Sequence, residues 1–115
     1  MESGKIKDSA ITVSSQWDAN HRAAYGRLNF KASGARKGAW SAKYNDQGQW
    51  FQVAFVKTME IRRIATQGRM DANQWVTRYT LSYSQDGGHF FPYKNNMVSA
   101  AALSCPFFQG NSCYV

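Results

Sequence analysis

Residues 75–83, WVTRYTLSY, alternate without a break: Trp75, Thr77, Tyr79, Leu81 and Tyr83 fall on one side, Val76, Arg78, Thr80 and Ser82 on the other. A side-chain period of two is that of a β-strand with one covered face. The residues that follow, SQDGGHFFPYK (84–94), contain Asp86-Gly87-Gly88. Glycine accepts positive φ, so this triplet reads as a hairpin turn. Residues 89–94 are then the returning strand. Pro92 has no N–H to give to a ladder, which places that strand at an edge or ends it early.

The same period extends upstream. QWFQVAFV (49–56) sets Phe51, Val53 and Phe55 on one face and Trp50, Gln52 and Ala54 on the other. MEIRRIATQ (59–67) carries Met59 and Ile61, loses phase at Arg62-Arg63, and recovers at Ile64 and Thr66, the pattern of a bulged strand. AITV (10–13) adds a short strand. Residues 36–44 suggest at most a turn of helix, weakened by Gly38. Several short strands divided by turn signals predict an all-β sandwich or barrel. The polar stretches 14–30, 31–48 and 67–74 show no helical period, and loops of that length in one domain are usually functional or disordered.

A chain of 115 residues makes one domain. No apolar run approaches the roughly 18 residues of a membrane-spanning helix. Met1 leads straight into the polar ESGKIKDS, so the sequence carries no secretory leader, and an extracellular location would require one outside it. Lys and Arg number 14 against 7 Asp and Glu, a net +7. Such an excess steers a protein towards phosphates, sulfated sugars or anionic lipid heads, or serves equally as a solubilising surface. The basic residues are scattered, which speaks against a nucleic-acid arm. Cys105 and Cys113, eight positions apart, close a small loop in an oxidising compartment or stand as ordinary thiols; the sequence does not decide.

Within the first long loop, SSQWDANHRAAYGRLN (14–29) sets Trp17 among small and polar neighbours with no regular period. A core tryptophan belongs to a pattern, and this one does not. Leaving such a side chain unburied forgoes about 2–3 kcal/mol, so an exposed Trp17 calls for a binding explanation. The alternative is that the indole folds back and caps the sandwich.

Four blocks are recognisable together: MESGKIKDSAITVSS at the start, GRLNF…GAWSAKYND, then QWFQVAF, then RIATQGR…WVTRYTLSYSQDG. Their order and spacing resemble the discoidin domain, the C-type domain of coagulation factors V and VIII, over residues 1–98. The resemblance implies a discoidin-like jellyroll β-sandwich bearing three protruding loops, the spikes, at 16–26, 31–38 and 68–75. Members of that family bind phosphatidylserine membranes, collagen or other proteins, or sugars through these loops. The implied ligand-binding residues are Trp17, Asp18, Asn20, His21 and Arg22 on the first spike and Arg36 and Lys37, beside Lys31, on the second. Arg69, Met70, Asp71 and Asn73 are those of the third. Trp75, which opens the alternating strand, is expected in the core.

Asp-Ala-Asn occurs in both outer spikes, at 18–20 and 71–73. Such side chains shape loops by bonding nearby backbone; the sharper alternatives are sugar-hydroxyl recognition or a calcium ion. Apart from that calcium, no cofactor or metal is expected. His21 and His89 have no nucleophile and orienting group at a known spacing, so no catalytic constellation is present and the chain is not expected to be an enzyme.

The departures from the family are specific. Ala54 stands where the family usually has a carboxylate, which would leave a basic group such as Arg27 without its partner. The family's terminal cysteines and closing strands do not appear, so the domain is expected to span 1–98, with a divergent tail over 99–115 that packs irregularly or frays. The function implied is a non-catalytic recognition or cell-adhesion module, extracellular or at the cell surface within a longer secreted protein. Its expected ligands are carbohydrate or anionic phospholipid, with peripheral membrane contact and no nucleic acid. The alternative is a module for a collagen-like or other matrix protein, or a targeting appendage of a larger extracellular enzyme.

Overall fold

The computed structural model describes residues 1–62 and 64–93, and the backbone of 98–99. Among the described residues six short strands follow one another: β1 (Ile11–Val13), β2 (Phe51–Val53), β3 (Arg78–Tyr79), β4 (Ser82–Tyr83), β5 (Phe91–Pro92) and β6 (Val98–Ser99). They pair antiparallel as β1 with β2, β3 with β6 and β4 with β5. Among the described residues there is no α-helix, only 3-10 turns at Asp8–Ala10 and Ala23–Gly26. The second lies inside the first long loop; a single 3-10 turn is too short to leave a period in the sequence.

β1 and β2 come from the two alternating segments nearest the N-terminus, in the register Ile11 to Val53, Thr12 to Gln52 and Val13 to Phe51. Backbone bonds continue the ladder at both ends, Ser14 N–H to the Trp50 carbonyl and Ala54 N–H to that of Ala10. Alternation holds only in part: Phe51 and Val53 are half-buried and Trp50 and Ala54 exposed, but Gln52 is half-buried as well and Phe55, expected on the covered face, is exposed. Among the described residues Ile11, Ala39 and Trp40 are the buried apolar side chains. The Trp40 and Phe51 rings lie 5.5 Å apart, and the indole N–H donates to the Ser15 carbonyl at 2.9 Å. Gly26 sits under the Phe51 ring, where a Cβ would come within 2.6 Å of a ring carbon.

Four expectations change. The alternating segment 75–83 is not one strand: β3 takes β6 as partner, β4 takes β5, and Thr80–Leu81 lies between them. Its inner face is covered only in the middle. Tyr79 and Leu81 are half-buried, but Trp75, expected in the core, is 43% exposed. The segment expected as a bulged strand, 59–67, forms no ladder among its described residues, and Met59 and Ile61 are exposed. Alternation marks faces, but a strand also needs a neighbour to bond. Residues 36–44 form no turn of helix.

The hairpin joining β4 to β5 turns as its sequence predicts, through a longer loop than a two-residue turn. Asp86 Oδ1 accepts from the Gly88 and His89 N–H groups and from Ser84 Oγ, and Gly87 takes φ +76°. β5 ends at Pro92. The expected domain boundary at residue 98 has its side chains outside the described residues, as do Cys105, Cys113 and the tail beyond 99.

Candidate functional site

Hydrogen bonds between distant segments gather the three loops. The Trp17 N–H donates to the Ser41 carbonyl at 2.8 Å, the Lys37 N–H to the Asn20 carbonyl at 3.0 Å, and the Gly38 N–H to Asp71 Oδ1 at 3.3 Å. Loop one is thereby tied to loop two, and loop two to loop three. Within loop two, Ser33 and Arg36 exchange backbone bonds around Gly34, which adopts φ +57°. Only a residue tolerant of positive φ closes so tight a turn without strain.

Trp17 is held at its backbone and open at its side chain. The residue is 63% exposed, so the indole does not fold back to cap the sandwich. Around it, Asp18 organises the loop. Its Oδ1 accepts from the Asn20 N–H and meets His21 Nδ1, both at 2.7 Å. These contacts, the His21 bond foremost, hold the Asp18 carboxyl below its usual range. His21 is 7% exposed, and Arg22, exposed, donates from Nε to the Ala19 carbonyl at 3.0 Å.

Arg69 departs most from its expected place. It is 9% exposed, and its guanidinium forks onto Asp71, Nε to Oδ1 at 2.7 Å and Nη2 to Oδ2 at 3.2 Å. Its Nη1 donates to Gln74 Oε1 at 2.8 Å. The Arg69 cation lowers the Asp71 pKa to about 2. Arg69 therefore does not join the outward-facing cations. Lys31 and Arg36 are exposed and Lys37 half-exposed, and among the described residues none of the three has an ion pair. Met70 is half-buried with its Cβ packed towards Gly38, and Asn73 is exposed.

Both Asp-Ala-Asn repeats are explained by loop shaping. Asp18 caps its own turn, and Asp71 bonds Arg69 and Gly38. Among the described residues no group of three or more His, Cys, Asp or Glu is placed to hold a metal ion. No helix among them is long and apolar enough to cross a membrane.

Two features were missed in the sequence. Arg27 is not left without a partner: it is buried and bonds the Asp8 carboxylate together with the Met1 and Ile6 carbonyls. The second is a recurrent Asp-x-x-His, in which Asp18 with His21 and Asp86 with His89 place a carboxylate oxygen 2.7 Å from Nδ1. The spacing of three is legible in the sequence and is the signal for the two Asp-x-x-His pairs, whereas the Arg27 cluster, with Asp8 19 residues away, leaves none.

An all-β frame of antiparallel pairs with three loops tied together by hydrogen bonds, the first carrying an exposed tryptophan, defines the class. This chain belongs to the F5/8 type C domain family, whose model matches residues 10–104. It is 38% identical to bovine (Bos taurus) coagulation factor V over 120 residues, covering 97% of this chain and 5% of that protein. Retinoschisin of Takifugu rubripes is 36% identical over 90 residues, 74% of this chain and 31% of that one. Discoidin II from Dictyostelium discoideum superposes with a TM-score of 0.66 at 26% identity, over 90% of this chain and 40% of that one. The fold is thus the all-β, jellyroll-like discoidin fold. The chain spans well under half the length of these relatives.

Proposed function

We propose that this chain is a non-catalytic recognition module whose three-loop tip binds an anionic phospholipid surface outside the cell. The observation that carries this reading is Trp17, pinned by its backbone to Ser41 yet 63% exposed. A flat, amphipathic indole suits the boundary between head groups and acyl chains. Arg22, Lys31, Arg36 and Lys37 lie on the same tied loops and supply positive charge beside it. Membership of the F5/8 type C family adds support, and no role is assigned to Arg69 or His21 at the surface.

A carbohydrate ligand is favoured by one further feature. An indole face stacks on a sugar ring as readily as it enters a lipid boundary, and the Asn73 amide is exposed on loop three. Sedimentation with phosphatidylserine vesicles, neutral phosphatidylcholine vesicles and a glycan array separates the two. Binding to anionic vesicles alone supports the proposal; equal retention on both vesicle types with a glycan hit replaces it by sugar recognition. Trp17→Ala is expected to weaken binding at least several-fold with the β circular dichroism intact. Loss of that spectrum would show that the indole supports the fold.

A further inference from the structure

We infer that Arg69 is a positioning residue for loop two, although among the described residues its side chain bonds only to loop three. The inference rests on the reading of the three-loop tip as the binding surface. A buried guanidinium needs its donors met, and here they are met by Asp71 and Gln74 from one short stretch of chain. The Arg69 N–H also donates to the Gln74 carbonyl at 3.1 Å, and the Gln74 N–H to that of Ala72 at 2.9 Å, closing loop three on itself.

The Asp71 carboxylate is held by a fork, the geometry that leaves it the least freedom to rotate. The same Oδ1 that takes Arg69 Nε also takes the Gly38 N–H of loop two. Packing reinforces the join: a Cβ at Gly38 would lie 2.9 Å from the Met70 Cβ, so Met70 sits too close to leave room for a side chain there. Next to Gly38, Lys37 carries one of the cations of the tip and donates its own N–H to Asn20 of loop one. Without the guanidinium, the Asp71 carboxylate turns to water, Gly38 loses its acceptor, and loop two loses its hydrogen bond to loop three.

The test follows the amide of Gly38 by hydrogen exchange, together with binding to phosphatidylserine vesicles. Arg69→Ala is expected to speed Gly38 exchange about tenfold, as losing a charge-assisted bond should, and to weaken vesicle binding several-fold. Arg69→Lys keeps the charge without the fork and is expected to recover part of both. If Arg69→Ala does not fold, Asp71→Asn removes the charge partner while keeping one acceptor oxygen, and Gly38 exchange is again expected to rise. A folded Arg69→Ala or Asp71→Asn with wild-type Gly38 exchange would overturn the inference, because a purely local role in loop three leaves loop two unmoved. Failure of the wild-type chain to bind any vesicle would overturn the proposed function, and Gly38 exchange would still judge the brace.

Discussion

Arg27 occupies a buried position because three acceptors from the N-terminal segment converge on it. The Met1 and Ile6 carbonyls and the Asp8 carboxylate together fasten residues 1–8 against the start of the long loop region. Asp8 itself is exposed, so the value of the cluster lies in satisfying the guanidinium and in ordering the segment, and less in the ion pair. Arg27→Ala is expected to lower stability by about 2 kcal/mol, the scale of lost hydrogen bonds to a charged group. The measure is the midpoint of chemical denaturation at unchanged slope. A midpoint like that of the wild type would mean that the N-terminal segment contributes nothing to the fold.

At the scale of elements, the junction between the Ala23–Gly26 turn and β2 has no spare volume. A methyl group at Gly26 would meet the Phe51 ring at 2.6 Å and Trp40 Cβ at 3.3 Å. Gly26→Ala is expected to cost about 1–3 kcal/mol through overpacking, read as a fall in melting temperature. A variant as stable as the parent would show that the Phe51 ring moves aside freely. The loops have their own signature in acid. Asp71 has its pKa lowered to about 2 from 3.8, chiefly by the Arg69 bond, and Asp18 and Asp86 are also lowered. A depressed carboxylate pKa adds stability above its unfolded value and loses it as the pH falls through the folded one. Stability is therefore expected to decline between about pH 4 and pH 2. Asp71→Asn should flatten part of that decline in a fluorescence-monitored acid titration; an identical profile would remove Asp71 from the cause.

The whole molecule carries +7, but that total overstates what the tip presents. Arg27 and Arg69 are inside and paired, whereas Arg22, Lys31, Arg36 and Lys37 remain on loops one and two. Each basic side chain near an anionic membrane contributes on the order of 1 kcal/mol, within a Debye length that shrinks from about 10 Å at 0.1 M salt to about 3 Å at 1 M. Binding to phosphatidylserine vesicles is expected to fall at least about tenfold over that range. Salt-insensitive retention would point to the indole alone.

The amino-acid sequence by itself determined the all-β class, the hairpin at Asp86-Gly87-Gly88, and the family, because strand period, turn chemistry and ordered motifs are local properties. It also singled out Trp17, whose lack of pattern is itself a local property. Only the tertiary structure decided which polar groups turn inward. Arg27 meets Asp8 from 19 residues away, and Gly38 meets Asp71 across 33. No periodicity encodes a partner at such a distance. Arg69 has its partners close by, at Asp71 and Gln74, but burial is a tertiary property, so in the sequence it reads as one more surface cation. The same limit divided WVTRYTLSY. Its alternation reports which side chains share a face, whereas the strand it joins at each point depends on where β5 and β6 arrive in space.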